Sequence, residues 1–338
     1  MATHRTTVKD LAERLGVSIA TVSRALNGKP EVSEDLRERV TTLAKALDYR
    51  PNPFAQSLRK EAPKMIGVVV PNLVTHFFSA VLDGIESEAQ KAGYNVISAN
   101  SHESCRDEML AIDNFISMHV EGIIASLSQE TTDYSHYVEI HRLNIPLVFF
   151  GRTCMTDLFT TVTANGDEAA QQATQHLIDT GSRRIAFIGG PNHLDLVRRR
   201  KHGYLEALRE NRIPIERELV VCDRMDYDKA LLATQRLLQT EHRPDAILAF
   251  NDTVTFAAFT AIKQSGLRIP QDVALIGFTD DVHARYVTPQ LSTIEDQAHL
   301  MGERACQLLL RRIKGDMRVH KEIVPQKIAI RESSIKKQ

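Results

Sequence analysis

The sequence predicts an α/β protein in two parts. A small three-helix head with a short helical stretch and linker behind it precedes a larger body of two doubly wound parallel-sheet subdomains. Three observations predict this. Residues 7–28, TVKDLAERLGVSIATVSRALNG, repeat apolar residues at helical spacing on either side of Gly16. The YRPNP run at 49–53 then stops any helix, because proline cannot continue one. From Lys64 onward, short uninterrupted apolar runs alternate with amphipathic stretches, the pattern of buried parallel strands and covering helices.

The first helix is expected over Val8–Leu15, with Thr7 as its N-cap and Asp10 three residues on, a capping-box start. Gly16 falls where the chain turns sharply and tolerates the positive φ of such turns. Ser18 caps the second helix, Ile19–Leu26. Leu11, Ala12, Leu15, Val17, Val22 and Leu26 are expected to share one small core. Ile19, Ala20, Ser23, Arg24 and Asn27 are left facing outward. Two short helices at such a turn are the form that docks in the DNA major groove, with the outer face of the second offered to bases and phosphates. An ordinary helical hairpin with a solvated outer face fits this stretch alone as well. After a loop at Lys29–Val32, Ser33 caps a third helix, with Glu34 and Asp35 where the helix dipole favours acids. Val40, Leu43, Ala44 and Leu47 form its stripe. Residues 53–60, PFAQSLRK, add a short helix that is marginal alone in water.

In the body, strands are expected at 65–71, 95–100, 120–127 and 145–151, then at 184–191, 218–223, 245–252 and 273–280, with helices between them, near 77–92 and 106–118 among others. Two groups of four suggest two similar subdomains. In such folds ligands sit at the carboxyl ends of strands, so two facing subdomains place those ends across a cleft.

At 338 residues and 43% hydrophobic, the chain can bury full-sized cores. Its net charge of −1 is uneven. Residues 1–60 hold 11 Lys+Arg against 7 Asp+Glu, net +4, and the remainder 31 against 36, net −5. A basic head on a mildly acidic body suits nucleic-acid binding by the head. Cys105, Cys154, Cys222 and Cys306 show no metal-ligand spacing and read as reduced packing residues of a cytoplasmic protein. The polar N-terminus carries no secretory signal, and no apolar run has membrane-spanning length, so neither an exported binding protein nor a membrane partner is expected. No GxSxG, P-loop or metal cluster marks an enzyme, and His136 with His141, or His193 with His202, lack metal-site spacing. No cofactor is expected.

The chain resembles the lactose repressor/galactose repressor family of bacterial transcription regulators. The motifs are TVKDLAERLGVSIATVSRALNG, YRPNPFAQSLR, PNLVTHFF, GSRRIAFIGGP, RKHGYLEAL, the FND at 250–252, SGLRIPQDVALIGF, PQLST and IRESS, in the family's order from residue 7 to residue 334. The resemblance implies a homodimeric regulator of carbohydrate-related genes, acting as a repressor on a palindromic double-stranded DNA operator. It implies a periplasmic-binding-protein-like body whose cleft takes a small sugar or sugar-derived effector. It also implies domain limits: head 1–50, hinge helix and linker 51–63, one body subdomain from 64–164 with 293–322, the other from 165–291 with 323–334. A phosphocarrier protein is a further partner that catabolite-control members of the family dock.

Carried over by position, Ile19 and Ala20 fall where the family reads bases, and Arg24 where a further base or phosphate contact lies. The apolar pair suits thymine methyls, and arginine suits guanine. Thr7, Ser18, Thr21, Ser23 and Asn27 position the helix on DNA. Asn52, Ala55 and Leu58 belong to the hinge helix, with Leu58 the minor-groove wedge. In the cleft, Phe77 and Phe78 match aromatic effector contacts, with core packing the alternative role for either, above all Phe77. Arg200 matches a ligand-forking arginine and Asn251 a polar contact. Gly151 and Thr279 stand where the family usually has aspartates, Asp296 where it often has glutamine, and Arg224 roughly where some members place an aromatic stacker. Losing two acids and gaining an arginine makes the cleft less negative, although Asp280 and Asp296 partly offset this and Arg224 has the alternative of pointing elsewhere. A less negative cleft suits an anionic effector such as a sugar phosphate or sugar acid, with a neutral sugar as the alternative. Leu58→Ala is expected to weaken operator binding much more than non-specific DNA binding in a titration of both; equal losses would remove the wedge assignment.

Overall fold

The computed structural model describes residues 6–49 and 64–336. They belong to two compact units, 1–63 and 64–338. Asn52, Ala55, Leu58 and the expected hinge helix lie outside the described residues.

The head comprises α1 (Val8–Leu15), α2 (Ile19–Leu26) and α3 (Glu34–Ala46). Thr7 and Asp10 close the capping box. The Asp10 amide donates to Thr7 Oγ1 at 3.3 Å, and the Thr7 amide donates to the Asp10 carboxylate at 2.7 Å. Gly16 ends α1 at φ +65°, and Ser18 Oγ accepts from the Thr21 amide at 3.1 Å. Leu11, Ala12, Val22, Ala25, Val32, Val40 and Ala44 form the core. Leu15, Val17 and Leu26 are only half-buried around it. The inward face of α2 thus centres on Val22 and Ala25, a small residue that lets the helices close together. Ser33 precedes α3 without a side-chain cap bond. Arg37 instead ties the loop before α3 by donating to the Lys29 carbonyl at 2.9 Å.

The body runs β1 (Met65–Val70), α4 (His76–Lys91), β2 (Asn95–Asn100), α5 (Cys105–Ser117), β3 (Gly122–Ala125), α6 (Ser135–Arg142), β4 (Leu147–Phe150), β5 (Thr160–Ala164) and α7 (Gly166–Asp179). It continues with β6 (Ile185–Gly189), α8 (Asp195–Glu210), β7 (Val220–Cys222), α9 (Tyr227–Leu238), β8 (Ala246–Ala249), α10 (Asp252–Gln264), β9 (Ala274–Thr279), β10 (Ser292–Glu295), α11 (Ala298–Ile313), β11 (Lys321–Val324) and β12 (Lys327–Ala329). Each of the two sheets has six strands, in the orders β11-β5-β4-β3-β1-β2 and β12-β10-β9-β8-β6-β7. All pairs are parallel except β10 with β12.

Each sheet therefore has two strands beyond the expected four. The added segments TTVTA, STIE, KEIV and KIA are short and Thr- or Lys-containing, without the continuous apolar run of a central strand. The chain crosses between subdomains after β5, after β10 and after β11. Strand Ser292–Glu295 lies in the second sheet and Lys321–Val324 wholly in the first, so the crossings fall two or three residues later than the expected limits at 293 and 323.

In the first subdomain, α4 and α11 pack at backbone contact. A Cβ on Gly302 of α11 would lie 2.0 Å from the Val81 carbonyl oxygen, and one on Gly84 of α4 would lie 2.1 Å from the His299 carbonyl oxygen. Neither backbone can yield without separating the helices. Gly302→Ala is expected to destabilise the body by about 2–3 kcal/mol through overpacking, read as a lowered Tm; an unchanged Tm would show that the pair re-docks freely.

Candidate functional site

The carboxyl ends of strands from both sheets meet at a cleft of about 400 Å³. From the first subdomain, the segment after β1 brings Phe77 and Phe78 to its wall. Phe78 is buried and packs edge-on against Phe150, with ring centroids 6.1 Å apart. Phe77 is half-buried and lies beside Gly151. Both line the cleft; Phe78 belongs to the buried core, and Phe77 packs against that core from the cleft side.

The segments after β2 and β4 add a pair that sequence reasoning missed. Arg152 grips Glu103 bidentately at 2.6 and 3.0 Å, donates to the Leu127 carbonyl, and lies 5.7 Å from the Phe78 ring centroid. Glu103 sits at φ +61° after His102 at φ +50°, a backbone course that no residue pattern signals. The neighbouring guanidinium holds the Glu103 carboxyl below the usual range against the opposing effect of burial. Arg152 directly follows Gly151, a position already singled out, and that adjacency was the available clue.

From the second subdomain comes Arg200 on α8, buried to 1% exposure. Its Cζ stacks 3.8 Å from the Phe278 ring centroid, one nitrogen donates to the Phe250 carbonyl, and another meets Asp296 at 3.1 Å. Burial lowers the Arg200 pKa and raises that of Asp296 to about 6. Asp296 also accepts from Gln326, whose amide nitrogen on the main chain donates to Asn165 Oδ1 at 2.9 Å. Asn251 lines the cleft and caps α10, accepting from the Val254 amide at 2.9 Å. Thr279 Oγ1 donates to Asp252 at 2.6 Å, and the Asp281 amide donates to the same carboxyl at 3.1 Å. Asp252, unmarked in sequence reasoning except as part of the FND motif, is thus a central polar group of the site.

Two expectations about charge change. Arg224 stands at the mouth of the cleft, half-exposed, and its guanidinium is paired with Glu130 of the opposite subdomain. Asp280 is engaged by Arg285 and Arg331 at 2.9 and 2.6 Å. The three arginines that line the cleft each carry a carboxylate partner, so the gained arginine does not stand as a free cation in it.

In the head, Ile19, Ala20, Arg24 and Asn27 are exposed, and Ser23 and Thr21 half-buried. Several polar groups of this face are already used within it. Ser18 Oγ is shared between the Thr21 amide and Thr21 Oγ1, and Asn27 Nδ2 turns back to the Ser23 carbonyl at 2.8 Å. Thr7 is held by Asp10.

Residues 7–52 match the family model described as bacterial regulatory proteins, lacI family, and residues 174–334 match one described as periplasmic binding protein-like domain. Catabolite control protein A of Priestia megaterium is 31% identical over 335 residues, covering 97% of this chain and 99% of the relative. The chain belongs to the lacI family of bacterial regulatory proteins. Two solved structures extend the likeness over both parts of this lacI-family chain. The lac repressor dimer bound to operator and the anti-inducer ONPF has a TM-score of 0.83 at 25% identity, covering 98% of this chain and 99% of that one. The transcriptional regulator CelR–cellobiose complex has a TM-score of 0.74 at 28% identity, covering 97% and 100%. The protein is accordingly a DNA-binding transcription regulator rather than an enzyme. Among the described residues no helix is long and apolar enough to cross a membrane.

Asp252 has a pKa pushed up to about 7, first by burial, with the bonds from Thr279 and Asp281 opposing the rise. Between about pH 4 and pH 7 the folded lacI-family chain holds a proton here that the unfolded chain has released. The site's contribution to stability therefore falls as pH rises through that window. In Asp252→Asn nothing ionises, so the Tm of the variant relative to the parent is expected to rise between about pH 5 and pH 8; a pH-independent difference by calorimetry would contradict the shift.

Proposed function

We propose that this chain acts as a dimer on a palindromic operator, repressing carbohydrate-related genes, and that a neutral sugar in the inter-subdomain cleft controls it. The head supplies the DNA contacts through Ile19, Ala20 and Arg24. A dimer is the assembly in the lac repressor–operator structure that this chain matches over nearly its whole length. The cellobiose complex of a second neighbour supports a carbohydrate as the effector class.

The observation that carries the neutral reading is the pairing of every lining arginine: Arg152 with Glu103, Arg200 with Asp296, and Arg224 with Glu130. An anion entering the cleft has to leave water and displace one of these carboxylates, and the displaced carboxylate then lacks its partner. A polyol avoids both penalties. Its hydroxyls can donate to carboxylate oxygens and accept from guanidinium edges, and a ring face can lie on Phe77. A volume of about 400 Å³ is at the small end of ligand sites, which suits a mono- or disaccharide. The effector then acts by population shift. It biases the two arrangements of the body only by its different affinity for each.

Thermal-shift titration of the full chain is the test, with neutral mono- and disaccharides run beside their phosphate and uronate counterparts. A saturable rise is expected from a neutral sugar, worth about 2.7 kcal/mol at a hundredfold excess over Kd. Stabilisation by a phosphorylated or carboxylated sugar whose neutral parent does nothing would overturn the charge argument.

A further inference from the structure

The mouth of the cleft is spanned by a two-part bridge. The primary amide of Gln129, from the loop after β3, pairs with the backbone of Met225, from the loop after β7. Its Oε1 accepts from the Met225 amide at 3.1 Å, and its Nε2 donates to the Met225 carbonyl at 3.3 Å. One side chain thus docks like a strand edge on the opposite subdomain, and both residues are buried. Beside it, Glu130 pairs with Arg224.

Each end of the bridge is braced within its own subdomain. The Gln129 amide donates to Glu103 at 2.8 Å, and the Glu130 amide donates to the Glu103 carbonyl at 3.3 Å. The fully buried Glu108 accepts from the Ser128 amide at 2.6 Å and from Thr131 Oγ1 at 3.0 Å, and it meets His136 at 3.0 Å. On the other side, the Arg224 amide donates to Asp223 at 2.6 Å, and Asp226 caps α9 by accepting from Lys229 at 2.8 Å. Loops held this firmly present Gln129 and Arg224 to partners that exist only when the subdomains are close.

We propose that Gln129 and Arg224 are positioning residues that hold the cleft closed before any small molecule enters, and so set the effector concentration at which the regulator switches. The contacts join protein to protein and need nothing in the cleft. A binding-competent arrangement populated in advance removes part of the free-energy cost of closure from the effector, whose apparent Kd scales inversely with that population. This consequence rests on the reading of the cleft as the effector site; the closure itself does not. Within the bridge the labour is divided. The buried Gln129 amide supplies the main restraint, since its loss leaves a buried backbone donor and acceptor unpaired. The half-exposed Glu130–Arg224 pair contributes a smaller, salt-sensitive share.

Hydrogen exchange of the full chain with no small molecule present tests the closure alone, because the Met225 amide is itself a bridge donor. Gln129→Met keeps the side-chain length and removes the amide. It is expected to speed Met225 exchange at least about fivefold while leaving the β8 amides unchanged. In the parent, Met225 exchange is expected to rise between about 0.05 and 0.5 M NaCl as the Glu130–Arg224 pair is screened; Arg224→Met, at an exposed position, is expected to give a smaller acceleration and to abolish that rise. Unchanged Met225 exchange in Gln129→Met would overturn the proposal. If that variant exchanges faster throughout, its fold has loosened and Arg224→Met decides: retained salt dependence at Met225 in that variant would also overturn it. Sugar binding that fails to appear in the thermal-shift series leaves these exchange outcomes intact, so the two readings fail separately.

Discussion

The three crossings between the body subdomains are the constraint on which the cleft depends, and one buried network ties them together. Asn165 lies in the first crossing, Asp296 in the second and Gln326 in the third. Gln326 bonds to both of the others, and Gln297 adds a bond to the Pro325 carbonyl at 2.7 Å. Arg200 joins the same network from α8 through Asp296. Taking an arginine and an aspartate fully out of water costs several kcal/mol for each ion, and only close pairing with further hydrogen bonds recovers it. The Phe250 carbonyl, the Phe278 ring and Gln326 supply those further contacts. The pair is therefore better understood as fixing the geometry of the crossings than as raising stability. Whatever touches Arg200 in the cleft acts on a residue already coupled to all three connecting segments.

That coupling explains why the rest of the body is built so tightly. A cleft that opens and closes about three short crossings needs lobes that move as units. The Gly84–Gly302 approach of α4 to α11 in one lobe has a counterpart in the other. There a Cβ on Gly203 of α8 would lie 1.9 Å from the Asp167 carbonyl oxygen on α7. Helices seated backbone to backbone leave little room for gradual deformation, because packed interiors transmit strain rather than absorb it. The lobes are thus stiff, and side chains from the two meet at the crossings and at the mouth of the cleft.

The head and the central strands were legible in the sequence because their signals are local. Thr7, Asp10, Gly16 and Ser18 act within one turn of where they stand, and MIGVVV or AILA can hardly be anything but buried strands beside polar neighbours. The β11–β5 side of one sheet and the β12–β10 side of the other were not legible, since KEIV and KIA become strands only by pairing with a distant edge. The cleft was half legible. Phe77, Arg200, Asn251, Thr279 and Asp296 do line it, as position in a familiar motif order implied. What escaped was pairing. Glu103 and Arg152 are 49 residues apart, and Glu130 and Arg224 are 94 apart. Counting acids and bases along a chain cannot reveal that each arginine has a carboxylate waiting for it. The arginine gained at 224 lines the cleft, yet its guanidinium is paired with Glu130 rather than standing alone.

The same consideration bears on how the head would read DNA. Hydroxyls and amides that cap and brace α2 have part of their bonding capacity committed within the helix. Ser18, Thr21 and Asn27 are in that position, with their remaining lone pairs and N–H or O–H groups left for DNA. Ile19 and Ala20 offer only apolar contact, which distinguishes a thymine methyl but leaves most of the major-groove pattern unread. Arg24, exposed in the last turn of α2, is then the side chain on this face best suited to a bidentate base contact. We infer that a reading face so sparing in hydrogen bonds leaves much of operator discrimination to the spacing of two half-sites and to the deformability of the DNA between them. Both of these act through the pairing of two heads in a dimer rather than through any one side chain.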